Sequence, residues 1–276
     1  MKLYRTASGI FLERAGRFFL LEENDWDRLI NRDNLHQYLQ GLPTAARAGR
    51  DDLESITLLP PVGRQEIWAS GVTYYRSRTA RMKEAEQAGG GDFYDKVYEA
   101  ERPELFFKAL PHRTVGPEGK VRIRRDSTWD VPEPELTLFI TAGARIVGYT
   151  VGNDMSSRSI EGENPLYLPQ AKTYDRSAAL GPCLYVPGRP IASDTAIAMR
   201  IVRAGATVYN DRIAIDQMKR AYEELVGFLF RECSFPNGCF LMTGTGLVPP
   251  DDFTLASGDE IRIRIDGIGT LVNYVE

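Results

Sequence analysis

One hairpin most constrains what this chain can fold into. Residues 130–154 read DVPEPELTLFITAGARIVGYTVGND. Two apolar runs, ELTLFI and RIVGYTVG, flank a glycine-bearing turn around Ala142–Arg145, which predicts an antiparallel pair. Side chains alternate along a strand, so Glu133 and Glu135 point one way and Pro134 the other. Counting back from the turn sets Asp154 level with roughly Pro132–Glu135, so three carboxylates meet at one end of the hairpin. Like charges that close raise one another's pKa, and a cation between them removes the conflict. Three hard oxygen donors suit Mg²⁺, Mn²⁺ or Ca²⁺. A solvated acidic strand end is the competing reading of Glu-x-Glu. Asp154 and the polar run NDMSSRS weigh against it. Proline cannot donate to a sheet ladder, so Glu-Pro-Glu predicts the mouth of the strand, with Pro134 fixing φ between the carboxylates.

The rest of the chain is a succession of short strand-like runs: KVRIRR, CLYVPG, AIAMRIV and EIRIRID, with KLYRTA, GIFLERA and RFFLLEE at the front. Helical spacing is confined to 27–40, to the charged SRTARMKEAEQA at 77–88 before a GGG, and to 215–233. In the last of these, Met218, Tyr222, Leu225, Leu229 and Phe230 form a stripe read as core packing. No regular βαβ alternation and no glycine-rich phosphate loop is present. The reading is a β-rich α+β fold with a small N-terminal domain over 1–60. The polar connector AARAGRDDLES and the prolines of LLPPVG lead into a main domain over 61–276.

Composition removes several function classes. With 276 residues, 43% apolar, there is ample material for a large core. A net charge of −4 gives no support to a nucleic-acid surface. No run is long enough to span a membrane, and MKLYRTASGI has no signal-peptide apolar stretch, so a soluble cytoplasmic protein is expected. Three cysteines without CxxC spacing predict free thiols rather than a disulfide framework or zinc site. The two histidines, His36 and His112, are too few for a histidine-rich metal site.

A second polar cluster, with Gln170, Lys172 and Tyr174, interrupts the apolar LYLPQAKTYD. Lys172 reads either as a surface lysine or, near a metal, as a group that holds a carboxylate or moves a proton. MTGTG at 242–246 reads as an ordinary turn or as a loop that binds a small carboxylate. Taken with EPEL, GYTVGNDMSSR, QAKTYD…LGP and SGDEIRIRIDGIGTLVN, these stretches resemble the fumarylacetoacetate hydrolase superfamily over about residues 60–276. The resemblance implies a mixed β-sandwich or roll and a divalent metal, Mg²⁺ with Mn²⁺ or Ca²⁺ as alternatives, on Glu133, Glu135 and Asp154. It also implies a small 2-oxo acid substrate and a homodimer or homotetramer.

Within the family, RPELFFKALPHRTVG, STWDVPEPEL and ENPLYLPQAKTYD are most similar to members that dehydrate 2-keto-3-deoxy sugar acids in pentose degradation. That match implies metal-dependent dehydration of a pentonate to 2,5-dioxopentanoate through a metal-stabilised enolate. Glu104 and Lys172 would share the acid and base roles. Arg158, Gln170, Lys172 and Thr245 would bind substrate. Another lyase or hydrolase of the family, an acylpyruvate hydrolase or oxaloacetate decarboxylase, is the alternative. Two departures matter. Where hydrolytic members carry G-x-N-Y-x-x-H, this chain has GVTYYRS, with Thr73 for Asn and Ser77 for His; Ser159 stands where many members have Asp. Without that histidine a hydrolase lacks its usual base.

Overall fold

A computed structural model describes residues 1–43, 56–74 and 97–276. The expected helix over 77–88, its GGG and Ser77 lie outside the described residues. Strands β1 (Lys2–Thr6), β2 (Gly9–Arg14) and β3 (Arg17–Leu20) form an antiparallel meander. The helix expected over 27–40 is instead two short ones, α1 (Trp26–Ile30) and α2 (Leu35–Gly41). Asn and Asp compete for backbone hydrogen bonds and disfavour helix interiors, and the intervening Asn31-Arg32-Asp33-Asn34 puts that tendency to use. Asn31 Oδ1 accepts from the Ala142 N–H, and the Thr141 hydroxyl donates to Asp33, so the helix break grips the turn of the central hairpin.

The chain continues through β4 (Leu58–Leu59), β5 (Glu66–Gly71), β6 (Glu104–Ala109), β7 (Thr114–Val115) and β8 (Lys120–Val121). The hairpin follows as β9 (Asp130–Ile140) and β10 (Ile146–Ser157), then helices α3 (Arg158–Glu163) and α4 (Leu168–Lys172). After these come β11 (Ala178–Tyr185), β12 (Ala196–Arg203), β13 (Ala206–Ala214), α5 (Tyr222–Leu229), β14 (Cys239–Met242), β15 (Glu260–Ile265) and β16 (Gly269–Val275). KVRIRR keeps only β8 as strand, because the Arg122 N–H turns to the carbonyl of Arg176. The helix expected over 215–233 starts only at Tyr222. Met218 bridges to Tyr74 and the Lys219 N–H donates to Thr73, which hold that stretch extended. Leu225, Val226 and Leu229 do enter the core.

The strands form two sheets. The larger runs β3-β2-β1-β11-β10-β9-β14-β5-β6, with β4 on β1 and β7 on β11; the smaller runs β13-β12-β15-β16-β8. One face of the large sheet, through Leu136, Leu138 and Ile140, packs on Ile197, Ile261 and Ile263 of the small sheet. The other face shares a second core with the N-terminal helices, where Leu3, Leu29, Leu35, Ile67, Phe139 and Phe240 meet. Residues on both sides of position 60 therefore supply one sheet and one core. This is the β-rich, few-helix architecture expected.

Strand β9 runs unbroken through both prolines and is buried along its whole length, so Glu-Pro-Glu lies inside the strand rather than at its mouth. Its register with β10 turns on one residue. Ile146 faces Ile140, but Gly148 faces Phe139, leaving Val147 as a bulge. Continued from the turn without the bulge, the register would set Asp154 opposite Pro132, on the wrong face; with it, Asp154 faces Glu133.

Leu138 is fully buried between the sheets. Leu138→Ala is expected to cost about 2–5 kcal/mol by lost transfer energy and a residual cavity, read as a lowered midpoint in urea denaturation.

Candidate active site

The face that carries Glu133 and Glu135 opens on a small cavity. It is lined by these two, Asp154, Arg158, Lys172 and Thr245, with Ser70, Gly71, Val72, Phe106 and Gly244 completing the wall. Oxygen atoms of Glu133, Glu135 and Asp154 lie within 4.8 Å of one another. The predicted triad is thus assembled by strand alternation and the Val147 bulge.

Two predicted cations join it. Arg158 is the first residue of α3, whose start is capped by Ser157 accepting from the Ile160 N–H. Its Nη2 donates to Glu133 Oε1 at 3.0 Å. Lys172 ends α4 and is 1% exposed. Its Nζ lies 2.6 Å from Glu133 Oε2, 3.1 Å from Asp154 Oδ2 and 2.5 Å from Ser156 Oγ. It is therefore a buried cation of the site rather than a surface lysine.

Thr245 is buried in the wall, and its hydroxyl donates to the Leu247 carbonyl at 3.3 Å. The loop that carries it is fixed from below. The Thr73 hydroxyl donates to the Thr243 carbonyl at 2.7 Å, and the Gly244 N–H donates to Glu135 Oε2 at 2.6 Å. Gly244 has φ +92°, and a Cβ there would come within 2.0 Å of Thr73 Oγ1, so only glycine serves. Glu104 does not line the cavity directly. Its carboxylate lies over Gly71, which does: a Cβ on Gly71 would meet Glu104 Oε2 at 2.0 Å. Gln170 is exposed on α4, where its carbonyl accepts from Arg124, and it takes no part in the cavity wall. Ser159 turns away from the triad to Ser127 and the Thr128 N–H. Neither histidine lines the cavity. His112 is exposed in a short 3₁₀ turn and His36 lies against Gly188.

Two charged residues of the site were not singled out from sequence. Lys108, fully buried on β6, makes an ion pair with Asp154 Oδ1 at 2.5 Å and donates to the carbonyls of Met155 and Lys172. Three strands separate β6 from β10, roughly 19 Å across a flat sheet, so the sheet must curl for a lysine to bridge them. A bulge at Lys108, between the pairs Ile67–Ala109 and Trp68–Phe107, turns its side chain inward. Glu161 on α3 is buried, with Oε1 3.3 Å from Lys172 Nζ. The signal for it was its place three residues after Arg158, on the same helical face.

Glu133, Asp154 and Glu161 thus interlock with three cations, and with Glu135, held by the Gly244 N–H, the site carries one negative charge in excess when all are ionised. Burial, and then Asp154 and Glu133, push the Glu135 carboxyl well above the usual range. Burial pulls Lys108 down, against the opposing pull of Asp154. Three buried carboxylates that cannot comfortably ionise together, with hard oxygens converging, fit a divalent cation.

Comparison with known proteins gives four findings. A family model described as "Fumarylacetoacetate (FAA) hydrolase C-terminal" matches residues 67–276. A probable 2-keto-3-deoxyxylonate dehydratase of Haloferax volcanii is 50% identical over 216 residues, 78% of this chain and 73% of that protein. The 2-dehydro-3-deoxy-D-arabinonate dehydratase of Saccharolobus solfataricus is 36% identical over 100% of this chain and 96% of its own length. A solved structure of 2-keto-3-deoxy-D-arabinonate dehydratase complexed with magnesium and 2,5-dioxopentanoate superposes with a TM-score of 0.85 at 32% identity, covering 100% of this chain and 99% of that one.

Glu133→Gln is expected to abolish divalent-cation binding in calorimetry while circular dichroism stays unchanged, since Lys172 keeps its other acceptors. Asp154→Asn removes the partner of Lys108 as well. It should also lose about 3–5 kcal/mol of stability, the cost of breaking a buried ion pair. Undiminished metal binding by either variant would contradict the triad.

Proposed function

The chain belongs to the fumarylacetoacetate hydrolase family, and from that premise we propose that it is a hydro-lyase: it removes water from a 2-keto-3-deoxy pentonate and yields 2,5-dioxopentanoate. The similar proteins are 2-keto-3-deoxy pentonate dehydratases, and the superposed one holds magnesium and that product. The observation that carries the reading is the buried triad with the Lys172 ammonium set directly against it, in a cavity that neither histidine lines. A hydrolase needs a group that activates water, whereas a dehydratase needs a base at C3 and an acid for the departing hydroxide.

A Mg²⁺ ion held by Glu133, Glu135 and Asp154 would supply Lewis acidity toward the 2-keto oxygen, acidifying the C3 hydrogens. Adding a divalent cation changes the site's balance from one negative to one positive charge, which a monocarboxylate substrate neutralises. Thr245, on a loop locked by Gly244 and Thr73, is positioned to bind that carboxylate. Arg158 holds Glu133 in place and adds positive potential. Glu104 and Lys172 share the proton transfers: a C3 proton leaves and the C4 hydroxyl departs as water, a C5 proton then moves to C3 to give a C4–C5 enol, and the enol hydroxyl proton passes to C4 to give the aldehyde. The atoms balance as one pentonate giving one dioxo acid and one water.

No helix of the described residues is long and apolar enough to cross a membrane. The three cysteines are free, with Cys183 and Cys239 buried. Leu166 is 83% exposed and Tyr167 41% exposed, an apolar turn that a homodimer or homotetramer would cover.

Turnover with Mg²⁺ on D- and L-2-keto-3-deoxypentonates, with the aldehyde detected directly, tests the reading. Aldehyde from one series is the expected result. No aldehyde, with activity on oxaloacetate or an acylpyruvate instead, would overturn it. Borohydride trapping should leave Lys172 unmodified in mass spectrometry, because Lewis acidity at the keto oxygen replaces a Schiff base as electron sink.

A further inference from the structure

The ammonium of Lys172 spends its three protons on Glu133 Oε2 at 2.6 Å, Ser156 Oγ at 2.5 Å and Asp154 Oδ2 at 3.1 Å. Glu161 Oε1 stands beside them at 3.3 Å, in an ion pair with the same nitrogen. Two of these acceptors belong to the metal triad. A divalent cation there draws on the same carboxylate oxygens. Ser156 and Glu161 stand outside the triad.

Glu161 does not line the cavity, whereas Lys172 does. It is buried, and a carboxylate removed from water persists only against a compensating charge. Lys172 is a cation it meets, and among the described residues Glu161 is the carboxylate in contact with Lys172 that the metal triad does not use. The helix supplies both partners of the arrangement. Arg158 and Glu161 lie one turn apart on α3, the first directed to Glu133 and the second to Lys172.

We infer that Glu161 is the positioning residue for Lys172. With Ser156 it holds the ammonium once Glu133 and Asp154 are engaged by metal, and the third N–H is left for the substrate. The inference rests on the functional reading above. Glu161 acts through Lys172 and touches neither metal nor substrate.

The test uses the full chain loaded with Mg²⁺ and compares the parent with Glu161→Gln and Ser156→Ala. Glu161→Gln should lower kcat by about 10- to 100-fold, the size of effect seen when a group that orients a ligand or catalytic side chain is removed. KM for the keto acid and Mg²⁺ affinity by calorimetry should stay within about threefold. Ser156→Ala should show the same split, more weakly. In a Mg²⁺-loaded crystal structure of the parent, Lys172 Nζ should remain within hydrogen-bonding distance of Glu161. A kcat for Glu161→Gln within about twofold of the parent, a matching loss of Mg²⁺ affinity, or a Lys172 turned away from Glu161 in the metal-loaded structure would each overturn the inference. Should Glu161→Gln fail to fold, Ser156→Ala and the metal-loaded structure decide it. A parent that gives no aldehyde while keeping the Lys172–Glu161 contact with Mg²⁺ bound would count against the functional reading and not against the positioning.

Discussion

Everything in the site depends on Asp154 standing opposite Glu133. That pairing is backbone register rather than side-chain preference, and it is set by Val147, the extra residue at the bulge near the turn. Once the two carboxylates share a face, the cations follow. Lys172 reaches both, Arg158 reaches one, and Lys108 reaches the other from the far edge of the curled sheet. The turn end of the same hairpin is gripped by Asn31 and Asp33. The register is thus held at both ends, by polar contacts at one and by ion pairs at the other.

Buried ion pairs add little net stability, because desolvation offsets most of the attraction. Their use here is geometric. Each cation has a fixed set of oxygens, and each triad carboxylate is held by a lysine, an arginine or a backbone N–H. A divalent cation at the triad would therefore exchange with interactions already built rather than gather loose side chains.

Much of this was legible in the sequence. The hairpin and the triad follow from strand alternation, a glycine-bearing turn and the family motifs, whereas Lys172 read equally as a surface lysine until its burial was seen. What local pattern could not show was tertiary. The helices expected over 27–40 and 215–233 are cut short because Asn31 and Asp33 serve the hairpin turn and because Met218 and Lys219 pair with Thr73–Tyr74. Glu-Pro-Glu suggested a strand end, since proline lacks a donor, yet β9 runs through it. Lys108 was hidden because a lysine in FFKAL reads as a surface residue until the sheet is seen to curl. Gln170 carries a family motif but stands exposed.

Gly71 has a consequence of its own. Its missing side chain is the space that the Glu104 carboxylate occupies. Any larger residue would be accommodated by swinging the end of a flexible glutamate aside, so the fold would scarcely register the change. The displaced group is the one proposed above for the proton transfers. Variation at 71 would accordingly be silent in a melting curve and loud in turnover. Among related chains, an alanine or serine at this place would mark those in which the proton-transfer part proposed for this glutamate is not used, while the carboxylate triad is untouched.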